Sequence, residues 1–211
     1  MKKLSLITQS LALSCFLHLV TLANDNPLKV FILCGQSNME GHAKISTFEA
    51  LKMDPVTKPI YKQMVDSMGD PVTCEKVWIS YFTGGRDNMG EGYGKLTAGY
   101  GSRRVPGEIG EKIGPEFTFG IYAQKALKES ILIIKTAWGG KSLFKDFRPP
   151  SSKGETGEYY TKMVEEIRAG LDDFSSNAYE LGGFIWMQGW NDMVSQEATA
   201  CLLYTSDAAD E

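Results

Sequence analysis

A serine that could act as a nucleophile follows an uninterrupted apolar run near the start of the chain. Residues 30–34 are all apolar, and Gly35, Gln36 and Ser37 come directly after them. An unbroken apolar run that ends at a glycine is typical of a buried parallel strand. Ser37 would then lie just past the strand, where the N–H groups of a following helix could stabilise an oxyanion. The same residues also permit a purely structural interpretation, in which Ser37 or Asn38 caps that helix.

Two later strands are predicted to end in residues that suit the same chemistry. Residues 131–135 form the clearest buried strand and lead to Gly139 and Gly140, while residues 181–187 lead to Gln188 and Asn191. The carboxyl ends of parallel strands form one edge of a sheet, and open α/β sheets bind ligands there. A serine, a glycine N–H and a side-chain amide are the parts that acyl transfer needs. The three blocks together therefore predict one site.

Apolar periodicity predicts the elements that position these blocks. Residues 76–82 are β-branched and aromatic and predict a further strand. Residues 114–127 and 159–174 have the spacing of amphipathic helices, and a helix over 41–53 is weakly indicated. The alternation of strands and helices, with no internal repeat or linker, predicts one α/β domain with a doubly wound sheet.

A glycine-rich connection, residues 83–115, separates the second strand from the first long helix. A connection of this length in a compact domain more often covers a functional site than merely joins two elements. Its Arg103 could contact an anionic substrate, although solvation at the surface is the usual state of an arginine. The glycine spacing superficially resembles a dinucleotide-binding loop, but the required strand–turn–helix context is missing.

The net charge of the chain argues against some partners, and its first residues indicate where the protein is located. The 211 residues carry a formal net charge of −4, which provides neither a basic face for nucleic acid nor a polybasic membrane anchor. Residues 1–23 have the basic start, apolar middle and small terminal residues of a secretory signal cleaved after Ala23. We therefore expect a secreted or periplasmic protein that is not attached to a membrane after cleavage. A lipoprotein cleaved before Cys15 is the weaker alternative.

Two of the four cysteines fall inside the predicted domain. Cys34 ends the first strand, whereas Cys74 precedes the second one, so their sulfur atoms should lie at opposite ends of the sheet. That separation is too large for a disulfide. Both thiols are expected to be free, and Cys34 is expected to be buried.

The three strand-end blocks resemble motifs of the carbohydrate acetylesterases related to sialate O-acetylesterase, within the SGNH hydrolase superfamily. The matching stretches are residues 35–39, 135–143 and 186–192. The resemblance covers about residues 28–195 and implies a three-layer α/β/α sandwich with a mostly parallel, flavodoxin-like sheet. It also implies hydrolysis of O-acetyl esters on carbohydrate substrates, without a metal or another cofactor.

The resemblance also implies roles for individual residues. Ser37 is expected to be the nucleophile and, through its own N–H, one oxyanion donor. Gly140, or alternatively Gly139, would supply a second donor, and the side-chain amide of Gln188 or Asn191 the third. The choice of amide is open because a tryptophan stands where many members have glutamate. The residues expected to contact the substrate are Gln36, Asn38, Trp138, Trp190 and Arg103.

The Asp-x-x-His motif that supplies the base in this family is absent from the chain. Of the two histidines, His18 belongs to the predicted signal, and His42 lies five residues after Ser37. On a continuous helix that spacing exceeds one turn, so His42 is expected to line the pocket or lie at the surface rather than to act as the base.

The composition of the last residues leads to an expectation about the position of the base. Residues 201–211 lack a clear amphipathic period and resemble a non-native read-through tail, although an unusual native tail is the alternative. We expect the domain to cover residues 24–200 and the native chain to continue beyond them with the missing Asp and His. Such a continuation would leave an exposed sheet edge or apolar face in this chain. A non-catalytic carbohydrate-binding or surface module on the same fold is the alternative function.

Overall fold

The computed structural model describes residues 27–83, 91–102, 110–172, 174 and 178–200. The predicted signal and tail lie outside the described residues. The strands are β1 (Leu28–Gly35), β2 (Ala43–Lys44), β3 (Val77–Phe82), β4 (Glu91–Lys95), β5 (Lys112–Ile113), β6 (Ile131–Ala137) and β7 (Tyr179–Met187). The helices are α1 (Ser37–Glu40), α2 (Phe48–Met53), α3 (Lys58–Met64), α4 (Pro115–Leu127) and α5 (Glu158–Asp172). None of the helices in these ranges is long and apolar enough to cross a membrane.

A five-stranded sheet in the order β4-β3-β6-β1-β7 forms the centre of the molecule. The strands β3, β6, β1 and β7 are parallel, and β4 is added antiparallel at one edge. In the register of the sheet, Gly35 at the end of β1 pairs with Ala137 on β6 and with Met187 on β7. The three blocks that follow these strands therefore meet at one edge, as predicted.

Two apolar clusters lie on opposite faces of the sheet. One contains Leu33 and Ile133 together with Phe117 of α4, and the other contains Leu132 and Met163, the latter from α5. All seven residues of β6 are buried because helices cover both faces of this central strand. The predicted three-layer α/β/α sandwich with a mostly parallel sheet is confirmed.

The glycine-rich connection is more ordered than the sequence indicated. Within the predicted loop 83–115, Glu91–Lys95 forms β4 and Lys112–Ile113 pairs with Ala43–Lys44 as a small antiparallel sheet. Gly94 adopts a φ of +154°, and a Cβ there would lie 2.8 Å from the hydroxyl of Tyr100. Glycine is unfavourable in strands, so local propensity predicts a loop. Pairing with β3 outweighs that propensity at residues 91–95, so this part of the connection is a strand.

The helix that the sequence weakly indicates over 41–53 is also wrong in its first half. The chain forms only the single turn α1 after β1, and Gly41, at a φ of +87°, ends it. A Cβ on Gly41 would lie 2.3 Å from the Cα of Gly114, so this close contact requires glycine. The strand β2 follows, and α2 does not begin until Phe48.

Both cysteines in the described residues are free, as expected, and Cys74 is buried as well as Cys34. Burial raises the pKa of Cys34 to about 12, and its sulfur lies 2.9 Å from the hydroxyl of Thr136. The thiol is therefore protonated at neutral pH and does not compete with Ser37 as a nucleophile.

The strand β7 lies at the edge of the described sheet and carries exposed apolar side chains. Leu181 is 60% exposed and Phe184 is 55% exposed. Apolar side chains on both faces of a strand are usual where the strand is covered on both faces.

Candidate active site

Ser37 is placed by the turn that ends β1. Gly35 adopts a φ of +150°, and a Cβ at this position would lie 2.1 Å from the carbonyl oxygen of Met187. Only glycine fits there, and the N–H of Gln36 donates to the same carbonyl oxygen at 3.2 Å. Ser37 follows, half-buried, as the first residue of α1. Because α1 is a single turn, the backbone donor that it offers to this site is mainly the N–H of Ser37 itself.

The glycine pair after β6 lies beside Ser37. A Cβ on Gly139 would be 3.7 Å from the Cβ of Ser37 and 2.7 Å from Oε2 of Glu40. The N–H of Gly139 donates to that Glu40 oxygen at 2.8 Å. Glu40 is 8% exposed and had no predicted role. Since Glu40 binds the first glycine N–H, Gly140 is the better candidate for an oxyanion donor from this block.

Gly140 and Asn191, two of the predicted oxyanion donors, lie next to each other at the surface. Gly140 has a φ of +74° and is exposed, and a Cβ on it would lie 3.8 Å from Nδ2 of Asn191. Asn191 lies in a short 3₁₀ helix, Trp190–Asp192, that follows β7. Asn191 therefore adjoins the glycine pair whose first member, Gly139, lies beside Ser37.

Gln188, the other predicted amide donor, is already hydrogen-bonded within the protein. Its Nε2 donates to the carbonyl oxygen of Lys141 at 2.8 Å and to Oδ2 of Asp192 at 2.7 Å. An amide nitrogen carries two hydrogens, and both are bound here. The arrangement favours Asn191 over Gln188 as the third oxyanion donor.

Asp192 connects two of the three blocks, a role that the sequence did not predict. Its side chain is completely buried and accepts hydrogen bonds from the N–H groups of Leu143 and Phe144, each at 2.9 Å, and from Gln188. Three donors satisfy the buried carboxylate without a cation. The only sequence signal was its place directly after Asn191 in the matching stretch 186–192.

Gln36, in the first block, forms hydrogen bonds to the other two blocks through its side chain. It is 1% exposed, and in the amide orientation that satisfies both ends it donates to the carbonyl oxygen of Lys141 and accepts from the N–H of Trp190, each at 3.0 Å. The expectation that Gln36 contacts substrate is not supported, because its polar atoms bind the protein.

The remaining predicted substrate contacts differ in their surroundings. Trp138 is 2% exposed and packs against Phe147 and Tyr159, so it belongs to the core instead of contacting substrate as expected. Trp190 is 73% exposed, and Asn38 is exposed beside Ser37. Arg103 lies outside the described residues.

An open groove of about 470 Å³ runs along one side of Ser37. Its lining consists of Ser37, Asn38, Gly41, His42, Ala43, Ile113, Gly114 and Pro115. The half-exposed imidazole of His42 lies with Nε2 3.4 Å from Oε2 of Glu40. His42 thus both lines the pocket and reaches the surface. No group of three His, Cys, Asp or Glu side chains that could hold a metal occurs in the described part of the chain.

A buried ion pair supports the groove from the core. Lys135 and Glu116 have no exposed side-chain surface, and Nζ of Lys135 donates to Oε2 of Glu116 at 2.6 Å. The same Nζ donates to the carbonyl oxygens of Glu40 and Tyr100, both at 2.9 Å, while the N–H of Gly114 donates to Glu116 at 2.8 Å. Burial lowers the pKa of Lys135, and Glu116 acts in the opposite direction.

Replacing Asp192 by asparagine is expected to lower the free energy of unfolding by about 1–3 kcal/mol. The change introduces an amide nitrogen where Leu143, Phe144 and Gln188 all need an acceptor. Urea unfolding monitored by circular dichroism measures the loss. Asp146→Asn is the matched control, since Asp146 caps the same loop through Ser142 but is partly exposed. Equal losses in the two variants would contradict the role given to Asp192.

The fold places the chain among the α/β/α sandwich proteins with a mostly parallel sheet, and Ser37 directly follows its first strand. The model of the family described as "Carbohydrate esterase, sialic acid-specific acetylesterase" matches residues 27–206. The chain belongs to this family, which confirms the resemblance seen in the sequence. A comparison with curated proteins gives no match.

Comparison with solved structures finds several that are similar to parts of this chain. A protein from Arabidopsis thaliana is 17% identical, with a TM-score of 0.54 over 86% of this chain and 66% of its own. XAC1771, a carbohydrate acetylesterase from Xanthomonas citri, is 15% identical, with a TM-score of 0.42 over 85% of this chain and 38% of its own. NanS is 16% identical, with a TM-score of 0.47 over 87% and 62%. The chain spans less than two thirds of the length of each.

Proposed function

We propose that this chain forms the core of a serine esterase that removes O-acetyl groups from carbohydrates through an acyl-enzyme. The observation that carries the proposal is the placement of Ser37 beside Gly139, with Gly140 and Asn191 adjoining. Membership of the carbohydrate esterase family supports it.

In the proposed reaction, Oγ of Ser37 attacks the acetyl carbonyl carbon and transfers its proton to a base. The N–H groups of Ser37 and Gly140 and Nδ2 of Asn191 would bind the resulting oxyanion. The bond to the sugar oxygen then breaks, the sugar leaves as an alcohol with the transferred proton, and water hydrolyses the acetyl-serine to acetate.

The base in this reaction is proposed to come from outside the described residues. Neither histidine of the sequence belongs to an Asp-x-x-His motif, and a neutral serine hydroxyl is a poor nucleophile without a base. We propose that the histidine and its orienting aspartate follow residue 200 in the native chain. The predicted signal at 1–23 further leads us to propose that the enzyme acts outside the cytoplasm on acetylated carbohydrate.

The test uses the protein encoded by the complete transcript, incubated with O-acetylated xylan or 9-O-acetylated sialic acid. We expect acetate release that disappears in Ser37→Ala, because the attacking oxygen is gone. Ser151→Ala, which removes an exposed serine far along the chain, is the matched control and should retain the rate. Acetate release that survives in Ser37→Ala would contradict the proposal.

A non-catalytic carbohydrate-binding module is the second candidate. The exposed Trp190, which could stack on a sugar ring, is the observation that favours it. The transcript sequence after residue 200 separates the two functions. An in-frame Asp-x-x-His supports the esterase, whereas a stop codon near residue 211 supports the binding module.

A further inference from the structure

We infer that Glu40 is a positioning residue that holds the glycine pair after β6 against the turn that carries Ser37. This inference rests on the proposed function, and it concerns a carboxylate that has no part in the reaction described above. That reaction needs the N–H groups of Ser37 and Gly140 to point at one oxyanion, yet the two donors belong to separate segments of the chain. Glu40 is hydrogen-bonded to both segments.

The main chain of Glu40 belongs to the turn that begins at Ser37. Its N–H donates to the carbonyl oxygen of Gln36 at 2.8 Å, and its carbonyl oxygen accepts from Nζ of Lys135 at 2.9 Å. Lys135 is a completely buried residue of β6. Because a displacement of Glu40 would break both hydrogen bonds, its side chain extends from a fixed point one turn after Ser37.

The side chain of Glu40 reaches the glycine pair. Oε2 accepts the N–H of Gly139 at 2.8 Å and lies 3.4 Å from Nε2 of His42. Glu40 is buried, and a glutamate is rarely buried unless it is paired. A hydrogen bond from a backbone N–H to a carboxylate is also stronger than one to a neutral acceptor. The carboxylate of Glu40 is therefore a strong restraint on Gly139.

Two adjacent glycines need such a restraint. Glycine has a wider choice of backbone conformations than other residues, so a free pair would direct the N–H of Gly140 in many ways. The hydrogen bond to Glu40 fixes the N–H of Gly139, which belongs to the peptide group just before the one that carries the Gly140 donor. Loss of an oxyanion donor lowers kcat by about 100- to 1,000-fold. A donor that is only misdirected should cost less.

The close fit at Gly139 offers an independent way to displace the carboxylate. A Cβ on Gly139 would lie 2.7 Å from Oε2 of Glu40, which is too close for the two atoms to coexist. Gly139 does not have a positive φ, so alanine can adopt its backbone conformation. Gly139→Ala should therefore move Oε2 away when Glu40 is present and should have little effect once the carboxylate is absent.

Acetate release by the protein encoded by the complete transcript tests the inference as a double-mutant cycle. Glu40→Ala should lower kcat about 10- to 100-fold and leave KM within about threefold, because it misdirects an oxyanion donor. Glu40→Gln keeps a carbonyl oxygen for the N–H of Gly139, and its kcat should stay within about fivefold of the unaltered value. Gly139→Ala should lower kcat in the unaltered protein but by less than about twofold in Glu40→Ala. Glu49→Ala, which removes an exposed carboxylate, is the matched control and should leave kcat unchanged.

Hydrogen exchange of the Gly139 amide in the 211-residue chain gives a readout that does not depend on turnover. Exchange should be at least about tenfold faster in Glu40→Ala, because the amide loses its acceptor. In Glu40→Gln and Glu49→Ala it should stay close to the rate of the unaltered chain. Each rate is compared with that of Ile133 in the centre of β6, whose amide reports the stability of the whole fold.

An unchanged exchange rate of Gly139 in Glu40→Ala would overturn the inference. Faster exchange without a fall in the Ser37-dependent kcat would also overturn it, since Glu40 would then hold the loop without serving the oxyanion. Failure of the proposed function is a different result, in which acetate release is absent or survives in Ser37→Ala. The exchange rates alone would then decide whether Glu40 holds the glycine pair.

Discussion

Replacing Glu116 by alanine is expected to lower the free energy of unfolding by about 3–5 kcal/mol. Lys135 and Glu116 are both completely buried, so the remaining ammonium group would have neither water nor a carboxylate to compensate its charge. The N–H of Gly114 would lose its acceptor as well. Urea unfolding at neutral pH measures the loss. Glu49→Ala, which breaks an exposed ion pair with Lys52, is the matched control and should cost less than about 1 kcal/mol.

A double replacement distinguishes the effect of the buried charge on stability from the effect of side-chain packing. Lys135→Met with Glu116→Leu removes both buried charges and should recover part of the stability that Glu116→Ala loses. The recovery is incomplete because the carbonyl oxygens of Glu40 and Tyr100 lose their donor. A double variant less stable than Glu116→Ala would show that the altered side-chain packing, and not the uncompensated charge of Lys135, causes the loss of stability.

The same pair predicts a pH dependence of stability. Burial lowers the pKa of Lys135 below the value of 10.5 that the unfolded chain has. Between the folded pKa and 10.5 the unfolded chain binds more protons than the folded one, so stability rises with pH in that window. Glu116→Gln removes the carboxylate that raises this pKa, and the window should extend to lower pH. A Glu116→Gln variant whose stability falls with rising pH below 10.5 would contradict this assignment.

The sequence was sufficient to predict the strands that carry the site because their signals are local. The runs at 30–34, 131–135 and 181–187 are apolar enough to indicate buried strands, and each is followed by glycine or an amide. Parallel pairing then puts their carboxyl ends on one edge of the sheet. The ends meet because the three strands are neighbours in the order β6-β1-β7, which the sequence did not indicate. That reasoning placed Ser37, Gly140 and Asn191 at one edge without any tertiary information.

What the sequence did not reveal depends on pairing between distant residues. Lys135 appeared only as the end of a strand, and Glu116 only as an acid at a helix start, yet they form one buried pair. Gln36 appeared as a substrate contact because its polarity carries no information about which groups surround it. Its partners, Lys141 and Trp190, are more than 100 residues away in the chain. Such contacts follow from the fold and not from local spacing.

The 211-residue chain is expected to release acetate at about the rate of its own Ser37→Ala variant. A positioned base contributes roughly 100- to 10,000-fold to proton transfer, so a longer chain that carries the histidine proposed above should be faster by that factor. Acetate release from an acetylated sugar, measured for both chains at the same concentration, gives the ratio. Rapid, Ser37-dependent release by the 211-residue chain would show that a base lies within it.

His42 is the residue to examine in that event, because the structure removes the sequence argument against it. The helix after Ser37 ends at Glu40, and the turn at Gly41 returns His42 to the groove that Ser37 lines. A base at His42 would lower kcat by at least about 100-fold when it is replaced by alanine. A sugar contact at His42 would raise KM and leave kcat within about twofold. We expect the change in KM, since Nε2 of His42 faces Glu40 at 3.4 Å and its exposed ring lines the groove beside Ser37.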